Sequence, residues 1–241
     1  MNIEISGVSK TYGKLKAVDD ISLSIGPGQI IAVLGINGAG KSTLLKLLSG
    51  LIPPDKGDVL FDGEKLTRGN VRLKKRLTVL PDYPAAFFDM SPIRHAAMLF
   101  KLYEADTSSA EEKLTALFKD FNILPCANAP LAKLSRGQMY KALLSAAISL
   151  DVDLWVFDEP FASGMDPSGL TNFRKHVKAG ALRGRTIVYT TQIPEVVEGF
   201  CDKICILDRG KVIAYDTVDS ITKSNSEGKK SLYDFFAEIK E

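Results

Sequence analysis

The chain of 241 residues has no excess of either charge: 31 Lys and Arg stand against 29 Asp and Glu, a formal net charge of +2. Its basic residues are scattered and form no massed patch, so the electrostatic footprint of a nucleic-acid binder is missing and no nucleic-acid partner is expected. No apolar run approaches the ~18–20 residues that cross a bilayer. The opening Met1-Asn2-Ile3-Glu4 lacks the charged and apolar segments of a secretory signal, and the expectation is a soluble, cytosolic chain. Cysteine is scarce: Cys126, Cys201 and Cys205 show no CxxC or Cys/His ligand spacing. They read as reduced core thiols, not as a disulfide framework or a zinc site. Internal repeats and low-complexity segments are missing too. What the chain does have is apolar material, 45% of its residues, enough for one large core with an embedded subdomain.

The stretch that organises the rest is Gly35-Ile36-Asn37-Gly38-Ala39-Gly40-Lys41-Ser42, placed between an apolar run, Ile30 to Leu34, and a leucine-rich helical pattern through Thr43, Leu44, Leu45 and Leu47. It reads as strand, phosphate loop, helix. Glycines let successive N–H groups turn inward to form a concave anion site. Lys41 adds a point charge for β/γ-phosphates, Ser42 offers a hydroxyl to Mg²⁺, and the helix dipole points its positive end at the same place.

Upstream, Ile3, Ile5 and Val8 begin an extended segment, and Ile21 to Ile25 alternates as a half-exposed antiparallel strand would. The turn expected between them holds Lys10-Thr11-Tyr12-Gly13, which puts an aromatic ring ahead of the phosphate loop. A nucleotide base stacked on Tyr12 would gain ~1–3 kcal/mol. Downstream come a short strand from Asp58 to Phe61, a basic stretch (Arg68, Arg72, Lys74, Lys75, Arg76) read as a solvated face, and a buried strand, Leu77 to Leu80.

From Asp82 to Leu150 the pattern turns helical. Its first part, Tyr83 to Met90, is aromatic and Pro-bounded, and suits either a core corner or an exposed docking surface. Leu134-Ser135-Arg136-Gly137-Gln138 then opens an apolar helix with Ser135 as N-cap, a second anion-ready terminus. Leu154 to Phe157 is a parallel-sheet strand that emerges at two acids, Asp158 and Glu159, the first suited to Mg²⁺ and the second to orienting a water. A turn at Ser163 to Asp166, a buried strand from Thr186 to Thr190, and a hairpin around Asp208-Arg209-Gly210 follow. The polar tail ends in Leu232, Phe235, Phe236 and Ile239, the pattern of a short amphipathic helix.

Taken together these residues resemble the nucleotide-binding subunit of an ABC transporter, over essentially the whole chain. The resemblance implies an α/β fold: a P-loop NTPase core with a mainly parallel sheet and an antiparallel β part (residues 1–81 and 151–220), an inserted helical subdomain carrying the signature loop (82–150) and a short tail (221–241). It implies ATP and Mg²⁺ as ligands, and head-to-tail pairing with a second cassette, so that each ATP lies between one phosphate loop and the other subunit's signature. Tyr12 would stack on adenine, and Asn37, Gly38, Ala39, Gly40, Lys41, Ser42 and Thr43 would bind the phosphates. Ser135, Arg136, Gly137 and Gln138 would face the partner's ATP, and Asp166 would lie in the D-loop. Ser42, Asp82 and Asp158 would hold Mg²⁺, with Glu159 as the catalytic carboxylate beside Asp82 and Gln192.

Three positions depart from the family pattern. Asp82 stands where a Gln is usual, Arg136 replaces the second Gly of the signature, and Gln192 stands where a His normally contacts the γ-phosphate. Neither His95, in the helical insertion, nor His176, on a helix after the D-loop, is placed to substitute for it. The expected role is a motor subunit on the cytoplasmic face of a membrane, bound to permease chains. The short tail leaves no room for the regulatory domain of some importers, which favours export. The rivals are a soluble ABC factor of translation or repair, which usually carries two cassettes or a long coiled coil, and a regulatory cassette that hardly hydrolyses.

Overall fold

The computed structural model describes residues 1–67, 69–224 and 232. A continuous apolar strand, β3 (Ile30–Leu34), lies inside a six-stranded sheet of order β10-β9-β3-β8-β7-β6. The other members are β6 (Leu77–Leu80), β7 (Leu154–Phe157), β8 (Thr186–Thr191), β9 (Lys203–Asp208) and β10 (Lys211–Asp216). All neighbours run parallel except β10, which returns antiparallel to β9. Every residue of β3, β7 and β8 is buried, because both sheet faces are covered and each needs its own alternate set of apolar side chains. Ile30, Ala32 and Leu34 belong to the helical core together with Trp155, Phe157 and Tyr189. Ile31 and Val33 face the opposite core with Val156 and Val188.

That second core is closed by a four-stranded antiparallel sheet of order β2-β1-β4-β5, made of β1 (Ile3–Tyr12), β2 (Leu15–Ile25), β4 (Lys56–Phe61) and β5 (Glu64–Lys65), and by α1 (Lys41–Leu48). Tyr12 ends a strand, paired with Leu15 across Gly13 and Lys14; the expected turn is shorter than Lys10 to Gly13. The basic stretch is also more than a solvated face. Arg76 donates at 2.7 Å to both Asp153 and Asp62, and these bonds raise its pKa further. It thereby ties the antiparallel sheet to the turn before β7. Arg72 pairs with Glu64 and Lys75 with Glu104 at 2.6 Å, around a one-turn helix, α2 (Val71–Lys74). Arg68 lies outside the described residues.

The helical layer consists of α3 (Pro92–Tyr103), α4 (Thr107–Asp120) and α5 (Arg136–Ser149), followed beyond β7 by α6 (Pro167–Leu182). α5 is nearly all buried, as expected of a helix apolar on every side. His176 on α6 bonds Asp120 at the end of α4 (2.8 Å) and stacks near Phe121. Burial holds its pKa below the usual value against the pull of Asp120. Cys205 is buried and its thiol is pushed up to about 12, and all three cysteines are free. The chain continues into α7 (Val218–Ser224). Of the amphipathic tail only Leu232 is described, helical and fully buried; Phe235, Phe236 and Ile239 lie outside the described residues. No helix among the described residues is long and apolar enough to cross a membrane.

Candidate functional site: a phosphate-loop cleft

In a parallel sheet the crevice lies beyond the carboxyl ends of the strands, where connections leave in different directions. Here the loops after β3, β6, β7 and β8 converge at that edge: Gly35 N–H donates to Thr191 O (3.2 Å) and Asp158 N–H to Leu80 O (2.9 Å). A cleft of about 360 Å³ opens there, bounded by Tyr12, Asn37, Lys41, Ser42, Asp158 and Glu159 among others. Gly38, Gly40, Thr43 and Asp82 also line it.

Gly40 caps α1 at φ 107°, and a Cβ there would stand 2.2 Å from the Ala17 carbonyl. Only glycine allows both that backbone conformation and that approach. The next residue, Lys41, is only 6% exposed. Its ammonium donates to Gly35 O (2.9 Å) and Ile36 O (3.2 Å) and pairs with Glu159 Oε1 at 3.1 Å. Its three N–H donors therefore have three partners. Glu159 adopts φ 48°, ψ 48°, a left-handed conformation that costs a non-glycine residue on the order of 1 kcal/mol and is often retained at functional sites. The turn it makes aims the carboxylate at Lys41 and the N–H at Thr190 Oγ1 (2.8 Å). Glu159 Oε2 is buried without a hydrogen-bond partner, an unsatisfied acceptor in a residue that lines the cleft.

Asp158 Oδ1 accepts from the Thr190 hydroxyl at 2.6 Å. Thr190 is a site residue that reading the sequence missed; its strand is fully buried but also carries hydroxyls at Thr186, Tyr189 and Thr191, so nothing local singles it out. Tyr140 is a second. Its hydroxyl is buried without a partner, and its pKa is pushed well above the ordinary phenol by burial and then by Asp158, Asp82 and Glu159. Tyr140 lies four residues after Arg136, hence on the same face of α5.

The remaining expected residues lie at the cleft's mouth or outside its lining. Tyr12 is 47% exposed at the cleft mouth beside Leu15. Ala39 is buried among core residues and is not among the cleft lining; its N–H donates to Ile36 O (3.2 Å) and its carbonyl accepts from Gly210 N–H (2.9 Å). The Ser135 hydroxyl is not free of partners: it accepts from Gln138 N–H (3.2 Å) while Gln138 Oε1 accepts from Ser135 N–H (3.0 Å), a closed capping box. Gly137 is buried. A Cβ on it would meet the Gly164 carbonyl at 2.2 Å, so the start of α5 lies directly on the loop before α6. Asp166 caps α6 through Gly169 N–H and accepts from Lys141 at 2.8 Å; that bond is the main reason its pKa lies below the carboxylate norm. Gln192 is exposed just past β8, outside the cleft lining. His95 is buried in α3 and does not line the cleft, with its pKa lowered by burial. None of Ser135, Arg136, Gly137 and Gln138 lines the cleft, but Arg136 reaches Asp82, which does.

Oxygen donors from Ser42, Asp82 and Asp158 suit a hard cation. No cluster of three His, Cys, Asp or Glu able to hold a metal occurs among the described residues; Mg²⁺ usually binds one or two carboxylates together with substrate phosphates.

The parallel sheet, glycine loop, buried lysine and strand-end acids define a P-loop nucleoside triphosphatase. The sequence model of the ABC transporter family matches residues 18–162. The chain is 31% identical over 222 residues to a Nod factor export ATP-binding protein I of Cupriavidus pinatubonensis, covering 90% of this chain and 68% of the relative. It is 30% identical over 211 residues to the protein of that name from Sinorhizobium fredii, covering 88% and 61%. A solved ATP-binding subunit of an ABC transporter superposes with a TM-score of 0.93 at 25% identity, with full coverage of both chains. CbiO1 of Clostridium perfringens, part of a CbiONQ complex, gives 0.77 at 20% identity, covering 98% and 93%, and shares the fold. The chain belongs to the ABC transporter family and is an ATP-binding cassette of it. It spans 61% of the Sinorhizobium relative's length.

Proposed function

We propose that this cassette hydrolyses ATP and drives a membrane transporter whose permease subunits are separate chains. The observation that carries the reading is the buried Lys41–Glu159 contact at 3.1 Å in the cleft that also holds Ser42, Asp82 and Asp158. That contact supports a site in which Lys41 would bind phosphate and Glu159 would orient water. In the proposed reaction Lys41 exchanges the Gly35 and Ile36 carbonyls for phosphate oxygens, the loop N–H groups hold the β/γ-phosphates, and Glu159 polarises the attacking water. Ser42, Asp82 and Asp158 would hold Mg²⁺, which would neutralise charge on the phosphate oxygens. Tyr12 at the mouth gives the base a stacking face.

That Ser135 to Gln138 are not among the residues lining the cleft supports head-to-tail pairing, in which the signature serves the ATP of a second cassette, with Asp166 at the contact. Tyr83, Phe87 and Phe88 are exposed, a surface that would suit a permease, and the cassette would then sit peripherally on the cytoplasmic face of the membrane. Export is the favoured direction, supported by relatives named for export. A slow, regulatory cassette is the second reading, favoured by the position of Gln192 outside the cleft. Gln192→His that accelerates phosphate release would support it.

The test is ATP calorimetry on folded Lys41→Ala. Loss of a charge worth about 4 kcal/mol at 4 Å and an effective dielectric near 20 should abolish measurable binding. Unchanged binding would overturn the nucleotide site.

A further inference from the structure

Two of the chain's departures from the family pattern, 54 residues apart, are in contact. Arg136 donates through Nη2 to Asp82 Oδ1 at 2.7 Å. The guanidinium also lies 5.0 Å from the centroid of the Tyr83 ring, a cation–π arrangement that limits its swing. Its stem runs beside Gly164, where a Cβ would stand 4.0 Å from Cγ and Cδ. One side chain thus leaves the signature, passes the loop before α6 and reaches the segment after β6.

Asp82 lines both the phosphate-loop cleft and the neighbouring groove that contains Arg136. In the cleft it is the third carboxylate, after Asp158 and Glu159, and the side chains lining the cleft include a single cation, Lys41, already paired with Glu159. A triphosphate brings several more negative charges into that space. An unpaired carboxylate at position 82 would repel it, whereas a carboxylate paired with Arg136 leaves that corner near neutral.

We propose that Arg136 is a positioning residue of its own chain's nucleotide site: it cancels the charge of Asp82 and fixes that carboxylate at the cleft's edge, and the two departures form one compensated unit. The inference rests on the nucleotide reading above. It differs from a signature residue's service to a partner subunit, because its effect must be present in the monomer.

The experiment is ATP calorimetry on wild type, Arg136→Gly, Asp82→Asn and the double variant, at concentrations where light scattering shows monomers, in EDTA and with Mg²⁺. In EDTA, Arg136→Gly should weaken ATP binding about fivefold or more, and Mg²⁺ should recover most of the loss by screening the bared carboxylate. In the Asp82→Asn background the same substitution should change affinity less than twofold. Arg136→Lys, which keeps the charge, should retain most of the affinity, and Arg136→Gln replaces the Gly variant if that does not fold. An equal loss with and without Mg²⁺ that persists in the double variant, or no loss at all, would overturn the inference while leaving the nucleotide site standing. A wild type that binds no ATP in either condition would overturn both.

Discussion

Thr190→Val is the sharpest perturbation of the site's architecture. The residue is fully buried on β8, and valine replaces its hydroxyl with a methyl of nearly the same shape, so packing is kept while two polar contacts vanish. The first is the 2.6 Å bond to Asp158; a hydrogen bond to a charged group contributes about 1.5–3 kcal/mol. The second is the 2.8 Å bond accepted from Glu159 N–H, and a stranded buried donor costs about 1–3 kcal/mol. The new methyl returns about 0.8 kcal/mol. The net loss is therefore about 3 kcal/mol, which in a chain of this length lowers Tm by about 6–12 °C. Thr190→Ser keeps the hydroxyl and gives up one methyl, a loss of about 1 kcal/mol. Urea titrations of the three proteins should rank wild type, Ser, Val. The Val variant should also lose Mg²⁺-dependent ATP affinity, because Asp158 is no longer held. A Val variant as stable as wild type, or a Ser variant less stable than Val, would refute the bridging role.

Gly137→Ala drives a Cβ onto the Gly164 carbonyl, backbone against backbone, and overpacking of this kind should cost about 1–3 kcal/mol in denaturant titration; an unchanged midpoint would mean that α5 does not rest on that loop. His95 is buried with Nδ1 unpartnered, and burial holds its pKa below the ordinary histidine value of about 6.5. The unfolded chain then binds the proton more readily, so this residue's favourable contribution is full above pH 6.5 and declines as pH falls through 6.5 toward the folded pKa. Stability of wild type should fall faster between pH 7 and 5 than that of His95→Leu, and parallel curves would contradict this.

What the sequence made legible follows from local rules. The runs at Ile30 to Leu34 and Leu154 to Phe157 are apolar at every position because both faces of the sheet are covered, and glycine spacing marks the loop after the first. Ser135 and Asp166 cap helices in the observed fold, within reach of short-range reasoning. Contacts that cross the chain were not legible. Arg76 looked like one member of a solvated run because Asp153 is 77 residues away, and nothing local distinguishes its partners. Arg136 and Asp82 stood as two separate oddities. Tyr140 went unmarked, since only the fold brings three carboxylates to it. The Tyr83–Met90 segment was ambiguous because an aromatic, Pro-bounded stretch fits either side of a surface; Tyr83 is 78% exposed.

The central claim is that Glu159 drives hydrolysis in a cleft that binds ATP without it. Glu159→Gln keeps the shape of the side chain and removes the charge that polarises water. The direct measurement pairs steady-state phosphate release with ATP calorimetry on wild type and this variant, in Mg²⁺. ATP binding should be retained while phosphate release falls at least a hundredfold, in line with the ~10²–10⁴-fold contribution of a positioned general base. Equal rates in the two proteins would contradict it.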